Sequence, residues 1–191
     1  MIDFNSYVER SGLYEVLKNI LRKYKIDSWN PVTRTAACHY YTAVELPVSK
    51  RKTWVDNPDV RSMIETFRNG GNCVDKSIFL ASLLTHVDGI ETRFTKVERK
   101  PDGHVLLQNR FPGYTKPQVE DHLLSFYKKN HDFGKYRFAW EENNRDQSDW
   151  IITDPGLSRY IGDFEALQEE GFTKMKKGGW KWNHPVNTMP V

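Results

Sequence analysis

Three residues in this chain have side chains suited to nucleophilic acyl transfer: Cys73, His104 and Asp154. Cys73 sits in the run Gly70-Gly71-Asn72-Cys73-Val74-Asp75-Lys76-Ser77, where a glycine turn gives way to an apolar segment that reads as a helix. At a helix N-terminus the unpaired backbone N–H groups and the positive end of the dipole favour thiolate over thiol. A cysteine nucleophile also needs a base within hydrogen-bond reach, and the base works better when a third group fixes its tautomer. His104 opens a predicted strand after the turn Lys100-Pro101-Asp102-Gly103, and Asp154 closes the apolar strand Trp150-Ile151-Ile152-Thr153 ahead of Pro155. One antiparallel sheet could hold both beside the cysteine helix. Asp121, Asp132 and Asp149 are the alternative acids if the stretch after Phe111 belongs to that sheet. Asp154 is preferred because it alone ends an apolar strand before proline.

The elements that must position these groups are legible in outline. A helix is predicted from about Tyr7 to Tyr24, since Leu13, Val16, Leu17, Ile20, Leu21 and Tyr24 recur at spacings of three and four. Arg34 to Leu46 mixes helix-favouring alanines with strand-favouring Tyr40, Tyr41, Thr42 and Val44, and its type is left open. A second helix is predicted with Asn57 as cap, Pro58 in its first turn, Val60, Met63, Ile64 and Phe67 on one face and Gly70 as its stop. The Cys73 to His86 run is too apolar for a surface helix and belongs at the domain centre, with Asp75 as a cap or a lysine contact and Lys76 solvated. Ile90 to Arg99 and His104 to Asn109 read as a hairpin.

The whole chain reads as one domain. Residues 1–56 form a helical region, 57–110 and 149–170 the core, 111–148 an aromatic-rich insertion and 171–191 a basic, aromatic tail. Within the insertion, Pro117 to Lys129 is predicted as a short helix with Val119, Leu123 and Phe126 inward, and a last helix is predicted from Asp163 to about Glu170. The tail interleaves Lys174, Lys176, Lys177, Trp180, Lys181, Trp182 and His184, which would suit stacking on bases, glycan or an anionic surface, or folding back onto the domain.

Composition narrows the function classes. The 191 residues carry 28 basic and 25 acidic side chains, so the net charge of +3 gives no global field for nucleic acid. No apolar run approaches a membrane span, and Met1-Ile2-Asp3-Phe4-Asn5 lacks the features of a signal peptide, so a cytosolic location is the simplest reading. With only Cys38 and Cys73 present, a bridge would consume the candidate nucleophile, and two free thiols are expected, Cys38 as an ordinary buried one. Cys38, His39, Cys73, His104, His122 and His131 lack compact metal-ligand spacing, and no metal is expected.

The segment Gly71-Asn72-Cys73-Val74-Asp75-Lys76-Ser77, followed by Phe79-Leu80-Ala81-Ser82-Leu83-Leu84 and Gly89-Ile90-Glu91-Thr92-Arg93-Phe94, resembles the core of the transglutaminase-like superfamily of papain-like thiol acyltransferases and proteases. The resemblance covers roughly Val60 to Gly162. It implies an α+β fold with an antiparallel sheet packed on the cysteine helix, and a Cys73, His104, Asp154 triad. It also implies ping-pong acyl transfer on a peptide or protein substrate, with hydrolysis favoured over transamidation and no cofactor. The Cys73 N–H and, from upstream, the Trp54 side chain become the implied oxyanion donors. A scaffold of this kind with a vestigial triad, serving as a binding module, is the alternative. The chain departs from the pattern at Asn72, where aspartate is common, at Leu106, where an aromatic is common, and in the fifty residues between His104 and Asp154.

Overall fold

The computed structural model describes residues 3–49, 59–97, 103–130, 138–142, 149–163, 172–174, 180–182 and 186–191. A 3-10 turn at Phe4–Tyr7 precedes helices α1 (Tyr14–Lys23) and α2 (Pro31–Tyr40), the latter running into a π-helical turn at Tyr41–Glu45. Helices α3 (Met63–Asn69) and α4 (Cys73–Leu84) lead to strands β1 (Glu91–Val97) and β2 (His104–Arg110). Helix α5 (Lys116–Asn130) is followed by β3 (Trp140–Glu142), β4 (Asp149–Thr153), β5 (Phe172–Lys174), β6 (Trp180–Trp182) and β7 (Val186–Pro190). The class is α+β. The described strands form one sheet in the order β5-β6-β3-β4-β2-β1-β7, in which β3-β4-β2-β1-β7 is antiparallel throughout and β6 joins β3 in parallel.

Every residue of α4 after Cys73 is buried, because the helix has no solvent face. It lies on β2, with α1, α2 and α3 around its remaining sides. Ile78, Phe79, Leu80 and Leu83 pack with Phe94, Val105, Leu107 and Ile151 of the sheet, each such side chain contributing about 1.5–3 kcal/mol on burial. Among the described residues no helix is long and apolar enough to cross a membrane.

Several elements differ from their sequence expectation. Helix α1 begins at Tyr14 rather than near Tyr7, since Gly12 adopts φ +92° and breaks the run. The open stretch from Arg34 is helical, started by Asn30, whose side chain accepts from the Thr33 N–H, with Pro31 in the first turn. Helix α3 starts at Met63, because Ser62 and Glu65 form a reciprocal capping box. Its buried residues are Met63 and Thr66, whereas Ile64 is 63% exposed. Asn57 and Pro58 lie outside the described residues, as do those of the predicted helix beyond Asp163.

The stretch read as an insertion supplies both a helix and a strand to the shared core. Val119, Leu123, Phe126 and Tyr127 of α5 are buried against the main cluster, and α5 packs on α2. Trp140 of β3 donates through Nε1 to Glu120 at 2.8 Å, and the Tyr127 hydroxyl accepts from the Ile161 N–H at 3.0 Å. The described parts of the tail, β5, β6 and β7, are strands of the sheet.

The packing of α5 makes it integral to cooperative unfolding. Leu123→Ala should lower stability by about 2–5 kcal/mol within a single urea transition. A separate early transition, with the rest unaffected, would mark α5 as an appendage.

Candidate active site

Two consecutive glycines let the chain enter α4. Gly70 ends α3 with φ +70°, and a Cβ there would lie 1.9 Å from the Pro47 carbonyl oxygen. A Cβ on Gly71 would meet the Asp75 Cβ at 2.4 Å. Gly71 instead donates its N–H to Pro47 and accepts from the Ser49 N–H, pairing in parallel with Val48. The approach to Cys73 is thereby fixed on both sides.

Asn72 caps the helix, its Oδ1 accepting from the Val74 and Asp75 N–H groups at 3.0 Å each. The Asp75 carboxylate completes the box by accepting from the Asn72 N–H at 3.2 Å, and it also takes the Arg61 N–H at 2.9 Å. Asp75 is therefore a cap, the first of its two sequence readings. Lys76 N–H bonds the Asn72 carbonyl, which opens the helical ladder. Among the described residues the Cys73 N–H is the one first-turn amide left without a partner. A half-buried thiol thus stands beside a free backbone donor.

His104 and Asp154 come from neighbouring strands whose register is pinned by polar pairs. Thr92 donates to Asn109 at 2.8 Å, and Asn109 donates onward to Thr153 at 2.7 Å, a chain of hydrogen bonds across β1, β2 and β4 that ends next to Asp154. Arg93 donates to its direct cross-strand partner Gln108 at 2.6 Å, and Gln108 donates to Glu141 of β3. A slip of one residue would turn each of these side chains to the other face. In the observed register His104 Nε2 meets Asp154 Oδ2 at 2.6 Å, with both residues buried. The other carboxylate oxygen accepts from the N–H groups of Gly156 at 2.9 Å and Leu157 at 3.2 Å.

The Cys73 side chain lies close enough to the same imidazole to raise its pKa. Since Nε2 is committed to Asp154, Nδ1 is the nitrogen that remains for the sulfur. Gly156 completes the enclosure: a Cβ there would lie 3.0 Å from the Cys73 Cβ and 3.2 Å from Asp154 Oδ1. The loop carrying Asp154 therefore passes directly against Cys73.

Burial by itself would lower the His104 pKa, but the charge and hydrogen bond of Asp154, with the contact to Cys73, outweigh it and hold the imidazole well above its usual value. Burial would raise that of Asp154, and the His104 charge, the hydrogen bond and the two loop N–H groups reverse this and lower it. The pair is an ion pair at neutral pH.

No family model, curated protein or solved structure matches this chain. The site is accordingly read from its own geometry. Cys73, His104 and Asp154 are brought together as the sequence reading placed them. Of the alternative acids, Asp149 pairs with Lys116 at 3.0 Å, Asp121 is exposed on α5, and Asp132 lies outside the described residues, as does Trp54. Cys38 is fully buried in α2, with its thiol pushed up to about 12 by burial. Among the described residues no three His, Cys, Asp or Glu side chains are grouped to hold a metal ion.

Two groups beside the site escaped the sequence reading. Lys76, expected in solvent, is 1% exposed, because α4 has no surface on which to place it. The available signal was the apolar run that follows it, from Ile78 to Leu84. His39 of α2 is fully buried, with the Asp154 backbone beside its ring.

The His104–Asp154 pair stabilises the fold fully where both groups are charged in the unfolded chain, from about pH 4 to about pH 6.5. As pH rises from there toward the raised pKa of folded His104, the contribution is lost, and as pH falls toward the lowered pKa of folded Asp154, it is lost again. The stability gap between the natural protein and Asp154→Asn, read from urea unfolding, should be about 3 kcal/mol at its widest between those limits and should narrow at alkaline pH. A gap independent of pH would show that the pair is not ionised.

Proposed function

We propose that this protein is a thiol-dependent acyl-transfer enzyme of the transglutaminase-like, papain-like kind, acting on amide bonds of a peptide or protein. The observation that carries the reading is one imidazole shared by a helix-start cysteine and a buried carboxylate, with His104 Nε2 2.6 Å from Asp154 Oδ2. Three such groups meeting from a helix and two strands constitute nucleophile, base and orienting acid.

In the proposed cycle the Cys73 sulfur attacks the amide carbonyl carbon. The carbonyl electrons move onto oxygen, where the unpartnered Cys73 N–H is a donor for the developing charge. Collapse of this intermediate breaks the carbon–nitrogen bond, and His104 delivers its proton to the departing amine, leaving a thioester on Cys73. Water then attacks the thioester while His104 takes a proton from it, and collapse breaks the carbon–sulfur bond, releasing a carboxylic acid and restoring the Cys73 thiolate and the His104 imidazolium. Asp154 keeps its charge throughout, holding the ring by Nε2 so that Nδ1 faces the sulfur. An amine in place of water would give transamidation by the same steps. Hydrolysis is preferred because it needs no second substrate site.

Alkylation by iodoacetamide, followed peptide by peptide, tests the activation without a known substrate. Cys73 should label far faster than Cys38 at pH 6–7, and His104→Ala should slow Cys73 alone by about 100-fold. Slow labelling of Cys73 that is indifferent to His104→Ala would overturn the reading and leave a binding module of the same architecture.

A further inference from the structure

Ser77 stands four positions after Cys73 on α4, one helical turn along the same face. Its hydroxyl donates to the Val105 carbonyl at 3.0 Å, and Val105 is the residue after His104 on β2. Both Ser77 and Val105 are fully buried. The bond therefore ties the helix that carries the cysteine to the strand that carries the imidazole, one turn from the first group and one residue from the second.

Burial alone does not demand this bond, as a second serine on the same helix shows. Ser82 is equally buried, and its hydroxyl donates to the Ile78 carbonyl at 2.9 Å, in the preceding turn of its own helix, as serines inside helices commonly do. The equivalent partner for Ser77 is the Cys73 carbonyl, yet its hydroxyl turns to the sheet. Strand β4 pairs with β2 only from Leu107 onward, so Val105 lies beyond that ladder, and there the helix bonds it.

Ile78, Phe79, Leu80 and Leu83 hold α4 on the sheet by apolar packing, which is non-directional and tolerates small rotations of the helix about its axis. A hydrogen bond is directional, and successive helical residues are turned by about 100°. One bond from Ser77 to a fixed carbonyl thus selects the rotation and the height at which Cys73 meets the His104 ring.

We propose that Ser77 is a positioning residue of the site, its bond to Val105 setting α4 against β2 so that Cys73 faces the His104 imidazole. The inference rests on Cys73 being the nucleophile. Ser77 touches no substrate and acts through the placement of Cys73.

The test is the pH profile of Cys73 alkylation by iodoacetamide in the natural protein, Ser77→Ala and Ser82→Ala, with melting temperatures recorded alongside. Ser77→Ala should slow Cys73 labelling at pH 6–7 by about tenfold and move its profile toward that of His104→Ala. Ser82→Ala, which removes an equally buried hydroxyl bond from the same helix, should lower the melting temperature and leave the profile in place. Should Ser77→Ala fail to fold, Ser77→Cys takes its place, since a thiol is a weak donor of similar size, and the same slowing is expected. Trypsin cuts after Lys76, so Cys73 is then read in a peptide apart from the introduced thiol. If His104→Ala shows that Cys73 is activated but the Ser77 variant leaves the profile unmoved, or Ser82→Ala moves it as far, the inference fails and the proposed function stands. If Cys73 is indifferent to His104→Ala, both fail.

Discussion

A carboxylate with almost no access to water must be neutralised by its surroundings, and the surroundings of Asp154 are drawn from most of the fold. Strand β4 delivers it, β2 brings His104 to one oxygen, and the Gly156 and Leu157 N–H groups hold the other. Helix α4 places Lys76 within its field and α2 places His39 beside its backbone. Removing His104 or either loop N–H group would leave a carboxylate oxygen short of a partner in a medium where that is expensive. The packing of α2 and α4 against the sheet is therefore a requirement of the site as well as of the core.

At Cys73 the backbone is constrained on both sides. The capping box of Asn72 and Asp75 stabilises the start of α4, as such boxes do in helices without function. Here the same bonds engage the amides on either side of Cys73 and leave its own free. Gly70 and Gly71 are needed because the chain passes within contact distance of Pro47 on one side and Asp75 on the other. The helix cap and the free backbone donor beside the thiol draw on a single arrangement of four residues.

The grouping of Cys73, His104 and Asp154 was legible in the sequence because each lies at a punctuated boundary: Cys73 after two glycines, His104 after a Pro-Asp-Gly turn, Asp154 before proline. The central position of α4 followed from its unbroken apolar run, and the inward residues of α5 from their spacing. What was not legible depends on tertiary partners. Lys76 was placed in water because an isolated lysine usually is, and only the enclosure of α4 on all sides puts it inside. Ser62 caps α3 because Glu65 reciprocates its bond, a pairing that depends on both side chains turning toward the helix start. The role of α5 in the common core rests on its contact with α2, nearly ninety positions away in the chain, which no local pattern encodes.

The hydrogen-bond chain Thr92–Asn109–Thr153 has a consequence for the order of assembly. It spans three strands, and the last of them is separated from Cys73 by some eighty positions, so bringing the acid to the imidazole requires closing long loops whose entropy is recovered only when the sheet is complete. Local structure around the cysteine, the glycine turn and the capping box, can form long before that. A nascent chain emerging in order would therefore hold its thiol in a helix start without the imidazole and carboxylate that act on it. The three side chains are brought together only by the completion of folding itself, so a half-made protein presents the thiol alone.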